Sequence, residues 1–146
     1  MKKYNFIFII TIVIISFGIS FCLAKDSNNM SNECFTPAKG TQMRKDILDV
    51  LRQEVKNMHG VDVVFVVEHL KVQDGWAWVH AFPQSPDGAN RYEDLSALLE
   101  LQNGKWKIAE LPCVEEENPE CLGDPSYFLK LKERFPDLPE RILPEE

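Results

Sequence analysis

The sequence predicts an α+β domain in which one N-terminal helix packs on a four-stranded antiparallel sheet, with a short C-terminal helix after it. Apolar residues between positions 43 and 58 recur at helical spacing. Four segments rich in β-branched and aromatic residues follow, and two of their connections contain the tight-turn dipeptides Asp74-Gly75 and Asn103-Gly104. We therefore expect a single domain spanning residues 41–146.

The predicted helix begins after Gly40 and ends at His59-Gly60. Thr41 is a suitable N-cap, because its hydroxyl can accept a hydrogen bond from an N–H of the first turn. Gly60 suits the left-handed position just beyond a helix. The apolar stripe that should face the sheet consists of Met43, Ile47, Leu48, Leu51, Val55 and Met58.

The predicted strands cover residues 61–72, 76–82, 92–102 and 105–111. A two-residue Asn103-Gly104 loop sorts the last hairpin into an apolar face and a face that carries a salt pair. The pairs that this loop predicts are Gln102 with Lys105, Leu101 with Trp106, Glu100 with Lys107 and Leu99 with Ile108.

The first hairpin admits two registers. A two-residue Asp74-Gly75 loop would place His69 opposite His80, whereas a three-residue loop with Gly75 left-handed would place Glu68 there. We favour the second register because it gathers more apolar residues on one face. That face would contain Val64, Val66, Leu70, Val72, Trp76, Trp78 and Phe82.

A short helix is expected near the C-terminus, with Asp124 as its N-cap and Pro125 at its first position. Phe135-Pro136 should end it, and the proline-containing tail should continue as extended chain.

Residues 1–24 have the features of a secretory signal peptide: two lysines, an apolar core and a small-x-small site that ends at Ala24. Cleavage before Lys25 is the favoured interpretation. An uncleaved membrane anchor and acylation of Cys22 are the alternatives, and we expect no stable anchor. Residues 25–40 are predicted to form a flexible leader, and the protein should be periplasmic or secreted.

The chain has a net charge of −7, which becomes −9 once the two lysines of the signal peptide are removed. Binding to nucleic acid requires a basic face, so we do not expect nucleic acid to be a partner of this acidic chain. An acidic surface also argues against anionic lipid headgroups.

Three cysteines remain after cleavage. Cys113 and Cys121 are close in sequence and flanked by prolines, so in an oxidising compartment they should form a disulfide. Cys34 would then be free or would pair with another chain.

The order of one helix followed by a meander resembles the cystatin-like and NTF2-like folds. Three stretches look like small exported bacterial proteins of no known activity: Phe65-Val66-Val67, Gly75 to Val79, and the block from Leu111 to Pro125. This resemblance covers most of the mature chain, from about Phe35, and implies no catalytic residues. The Gln-x-Val-x-Gly inhibitory loop of cystatins is not present; residues 72–75 only echo it.

Aromatic residues alternate along the second strand and could form a binding surface, although burial under the helix is the more frequent role of such a pattern. A cross-strand His69–His80 pair could share a metal, but a third ligand is missing from the pattern. Arg91 and Tyr92 could line a pocket at the mouth of the sheet. The candidate binding residues are Trp76, Trp78, His80, Phe82 and Arg91.

We found no nucleophile motif and no glycine-rich phosphate loop in the chain. The leading hypothesis is a non-enzymatic module that binds a protein or cell-envelope partner through its sheet, without metal or cofactor. A second copy of the chain is an alternative partner. The competing hypothesis is a small acid/base enzyme, using Asp62, Glu68 and His80, or a ligand carrier with an NTF2-like pocket.

Overall fold

The computed structural model describes residues 33–113 and 121–144 and confirms the predicted α+β fold class. A long helix precedes four strands, and a short helix and a 3-10 turn follow them. Their bounds are α1 Gln42–His59, β1 Val64–Gln73, β2 Trp76–Gln84, β3 Leu95–Gln102, β4 Lys105–Glu110, α2 Tyr127–Arg134 and the 3-10 turn Glu140–Ile142.

Local signals predicted the ends of α1 correctly. The Thr41 hydroxyl accepts a hydrogen bond from the Arg44 N–H at 3.4 Å, as an N-cap should. Gly60 has a φ of 71°, and its N–H donates to the Lys56 carbonyl. Ile47, Leu48, Leu51 and Val55 form the buried stripe, whereas Met58 at the last turn is exposed.

The four strands form an antiparallel meander in the order β1-β2-β3-β4. The predicted register of the last hairpin is confirmed over all four pairs, from Gln102–Lys105 to Leu99–Ile108. β3 begins at Leu95 rather than at position 92, because Arg91 and Tyr92 pair with the end of β2 before the chain enters the strand.

Our preferred register for the first hairpin is wrong beside the turn. Asp74 and Gly75 both have positive φ, 49° and 83°, which makes a two-residue loop and places His69 opposite His80. A bulge between Val67 and His69 then shifts the register by one residue. Beyond the bulge, Val66 lies opposite Phe82, as the preferred register would have it.

This register sends the apolar residues of the first hairpin to both faces of the sheet. Leu70 and Val72 pack towards α1, together with Ala77 and Val79 of β2. Trp76 and Trp78, which were expected on the same face as Leu70 and Val72, lie on the opposite face. Trp106 joins the core under α1.

A second core covers that opposite face. It is built by α2 and the chain after it, which lay Tyr127, Leu131, Leu138 and Ile142 over the sheet. The tail was expected to be extended, but it forms the 3-10 turn, and Ile142 at the end of that turn is fully buried. Both faces of the sheet are therefore covered along much of its length.

α2 begins two residues later than predicted, with Ser126 at the N-cap position. Because the helix starts at Tyr127, Asp124 lies two residues before the cap position. Its carboxylate still accepts a hydrogen bond from the Ser126 N–H at 2.8 Å, and this bond closes the turn that leads into the helix. The predicted end at Phe135 is confirmed.

The Cys113–Cys121 disulfide is confirmed, with the two Cα atoms 4.6 Å apart. It joins the chain just beyond β4 to the chain just before α2. Cys34 is a free thiol in this structure.

The predicted signal peptide lies outside the described residues. Of the predicted leader, residues 33–40 lie against the domain, where Phe35 pairs with Val72 through two backbone hydrogen bonds. Within residues 33–113 and 121–144, neither α-helix combines the length and the hydropathy that a membrane span requires.

Candidate functional site at the open end of the sheet

Trp76 and Trp78 are buried beneath α2 and the chain that follows it, residues 127–144, which we call the C-terminal cover. Their exposed fractions are 8% and 1%. Trp76 packs edge-on against Phe135 with ring centroids 5.4 Å apart, and Trp78 packs against Phe128 at 5.5 Å. Both tryptophans, predicted as binding candidates, therefore contribute to the core in this structure.

Phe82 remains exposed on the same face, because the C-terminal cover ends before the far end of the first hairpin. It lies directly opposite Val66 across β1 and β2, and the two are 42% and 51% exposed. Two large apolar side chains are thus displayed side by side on a rigid hairpin.

His80 borders this apolar pair. Its ring lies 5.2 Å from the Phe82 ring, Nδ1 is 2.9 Å from a Glu68 carboxylate oxygen, and Nε2 is 2.9 Å from an Asp94 oxygen. The bulge explains the first contact, because it places both Glu68 and His69 opposite His80. Glu68 and Asp94 are largely exposed, so the edge of the apolar pair is acidic.

We name this surface the hairpin patch and define it as Val66, Glu68, His80, Phe82 and Asp94. Sequence reasoning identified His80 and Phe82, but it missed Asp94. No spacing rule relates Asp94 to His80, because the two meet only through the pairing of β2 with β3, in which Ser96 lies opposite His80.

The predicted acid/base set is not assembled. Asp62 lies 2.8 Å from the Lys56 ammonium at the end of α1, and its contact with that lysine is the only ion pair it makes with the described residues. Glu68 and His80 do meet, with Asp94 as the second carboxylate in place of Asp62.

His69 and His80 lie opposite each other, and each contacts another group. His69 lies opposite His80, in the register that we considered less favourable, and its Nε2 is 2.8 Å from the Ile142 carbonyl oxygen. Both ring nitrogens of His80 contact carboxylates. In the part of the chain that the structure describes, no group of three or more metal-ligating side chains is arranged around a common point.

Arg91 lies beside α1, at a site that shares only Asp94 with the hairpin patch. It lines a pocket of about 530 Å³ between the last turn of α1 and the segment that leads into β3. The Arg91 backbone pairs with Gln84, and the Tyr92 N–H donates to the Pro83 carbonyl at 3.0 Å. Arg91 and Tyr92 both line this pocket.

A second, wider groove of about 940 Å³ lies beside the C-terminal cover and contains Cys34. The Cys34 thiol donates to the Arg141 carbonyl at 3.3 Å. Phe35 and Leu129, both exposed, lie on its walls.

Comparison with protein-family models, with curated proteins and with solved structures gave no match to this chain.

Proposed function

We propose that this protein is a non-enzymatic binding module of the periplasm or the extracellular medium, and that it docks a protein partner through the hairpin patch. The observation that carries the proposal is the exposed Val66–Phe82 pair, which lies on a sheet face that the C-terminal cover buries along much of its length. Exposed aromatic and aliphatic side chains on a rigid element are typical anchors of protein interfaces. A cell-envelope protein is the expected kind of partner.

The chemistry of the patch selects the partner. Glu68 and Asp94 place two carboxylates around one imidazole, so the patch is negative even when His80 is protonated. The whole chain is acidic as well, with a net charge of −7. The matching partner presents an apolar side chain to Phe82 and Val66 and surrounds it with lysine or arginine.

Export is part of the proposal. The Cys113–Cys121 disulfide supports it, because stable disulfides form in oxidising compartments. The predicted signal peptide supports it independently. The likeness of the helix-plus-meander order to cystatin-like and NTF2-like folds agrees with a binding role, but it contributes no residue to the patch.

The geometry favours binding over acid/base catalysis. A catalytic His–carboxylate pair needs a concave site in which substrate is held and water is excluded. Glu68 and His80 instead lie on an open face, and neither lines the pocket that contains Arg91. A ligand carrier remains the second candidate function, and the observation that favours it is that pocket.

Site-directed photocrosslinking tests the docking surface. Phe82 is replaced by a photoreactive phenylalanine analogue, and the mature protein is irradiated with the native envelope fraction. We expect one or a few discrete adducts. Adding excess wild-type protein should remove them, and adding excess Phe82→Lys protein should not, because lysine removes the apolar anchor.

Leu129 provides the matched control, because it is 66% exposed but lies in the groove beside Cys34. Leu129→Lys protein should compete as well as the wild type. Adducts that both lysine variants remove equally would contradict the proposal. A single adduct of twice the monomer mass would show that the occupant is a second copy of this chain, contradicting the heterologous partner.

A further inference from the structure

The pocket next to Arg91 has an apolar interior. The last turn of α1 contributes Val55 and Met58, the strand side contributes Pro83 and Leu95, and Val61 closes the space between them. Val55 is 7% exposed, whereas Met58 is 49% exposed, so the pocket has a deep apolar end and an open mouth. Its volume of about 530 Å³ lies in the range of sites for small organic molecules.

The charges around the mouth are uneven. No carboxylate of the described residues lies within ion-pair distance of the Arg91 guanidinium. Asp94 also borders the pocket, but its carboxylate already contacts His80 at 2.9 Å. Among the other residues that line the pocket, Glu93 contributes a carboxylate and His59 an imidazole. Of the described residues, Arg91 is the one lining side chain that is always positively charged.

An arginine that pairs with no carboxylate of residues 33–113 or 121–144, and that lies beside an apolar cavity, has the two elements that recognise an amphipathic anion. The planar guanidinium donates two parallel hydrogen bonds to a carboxylate, and the apolar wall takes the hydrocarbon body. The backbone of Arg91 is held by its pairing with Gln84 of β2, which fixes the point at the mouth from which the side chain extends.

We propose that this pocket binds an amphipathic monocarboxylate, with the hydrocarbon body against Val55 and Met58 and the carboxylate on Arg91. The site goes beyond the proposed docking function, because it lies beside α1 and shares only Asp94 with the hairpin patch, and neither experiment substitutes Asp94. Each can therefore fail without the other.

Titration calorimetry with three ten-carbon probes tests the assignment: decanoate, decanol and decyltrimethylammonium. We expect decanoate to bind about tenfold more tightly than decanol, the size of effect that one charge-assisted contact at a partly exposed site provides. Decyltrimethylammonium should bind more weakly still. Arg91→Gln should reduce the affinity for decanoate to that for decanol, and Lys105→Gln, which removes a positive charge at a distant turn, should not.

Met58→Glu supplies a second variant that does not disturb the core, because Met58 is already half exposed. It should weaken decanoate binding by placing a carboxylate at the mouth. Equal affinity for decanoate and decanol would contradict the proposal that the ligand is an anion. Preferential binding of the ammonium probe would also contradict it, and would indicate that Glu93 binds the ligand's charged group. No binding of any probe would overturn the site. Photocrosslinking through Phe82 is unaffected by these outcomes.

Discussion

At the scale of single residues, Glu110 connects the sheet to the C-terminal cover. Its carboxylate accepts a hydrogen bond from the Tyr127 hydroxyl at 2.5 Å and is held by both terminal nitrogens of Arg134, at 2.6 and 2.8 Å. The Glu110 side chain is only 14% exposed. Burial raises the pKa of Tyr127 well above its usual range, and the neighbouring Glu110 carboxylate raises it further.

We predict that Tyr127→Phe lowers the free energy of unfolding by about 1 kcal/mol near neutral pH, because one hydrogen bond is lost. The wild type should also lose stability as pH rises above about 10, where the unfolded tyrosine ionises but the folded one does not. That loss should be smaller in the variant. Urea unfolding of both proteins at several pH values measures the difference.

Tyr92→Phe is the control for removing one phenol, since Tyr92 lies at the exposed mouth of the pocket. If the wild type and Tyr127→Phe lost stability in parallel above that pH, the assignment of the alkaline loss to Tyr127 would be contradicted.

The histidines provide a second prediction at this scale. His69 is engaged with the Ile142 carbonyl and His80 with two carboxylates, so zinc would have to displace these contacts and would still lack a four-ligand site. We expect calorimetric titration of the mature protein to show no stoichiometric zinc binding with a dissociation constant below about 1 μM. Tight binding that His69→Ala or His80→Ala abolishes would contradict this.

At the scale of elements, the disulfide holds the C-terminal cover against the sheet. Cys121 is fully buried at the start of the segment that leads to α2, and Cys113 follows β4. The Leu122 N–H donates to the Cys113 carbonyl at 2.8 Å and reinforces the link. Because the cover buries Trp76 and Trp78, breaking the disulfide should expose both tryptophans to water.

We predict that the double variant Cys113→Ser/Cys121→Ser loses about 2–3 kcal/mol of unfolding free energy, the value expected for closing so short a loop. Its tryptophan emission should shift to longer wavelength, because the cover loosens and admits water. Denaturant unfolding monitored by fluorescence measures both effects. Cys34→Ser is the control and should leave both unchanged; an equal effect from Cys34→Ser would contradict the assigned role of the disulfide.

At the scale of the whole molecule, the Cys113–Cys121 disulfide fits the proposed export, because stable disulfides form in oxidising compartments. We predict that the mature protein begins at Lys25, because Cys22-Leu23-Ala24 is the small-x-small site that precedes it. Intact-mass measurement of the protein recovered from the envelope or the medium checks this. A full-length chain in the membrane fraction, or a lipid on Cys22, would contradict it.

Local chemistry alone determined much of the architecture. The caps of α1, the Asn103-Gly104 register and the Cys113–Cys121 pair each depend on residues near one another in the chain, and all were predictable from the sequence. The order of helix, meander and short helix followed from hydrophobic period and turn residues in the same way.

Only the tertiary structure decided which face each strand residue takes. β2 is apolar on both faces because α1 covers one and the C-terminal segment the other, so alternation could not discriminate between the registers. The bulge beside Glu68 and the approach of Asp94 to His80 depend on pairing between distant segments. The same long-range packing buries Trp76 and Trp78 and leaves Phe82 exposed, because the C-terminal cover ends before it reaches the far end of the hairpin.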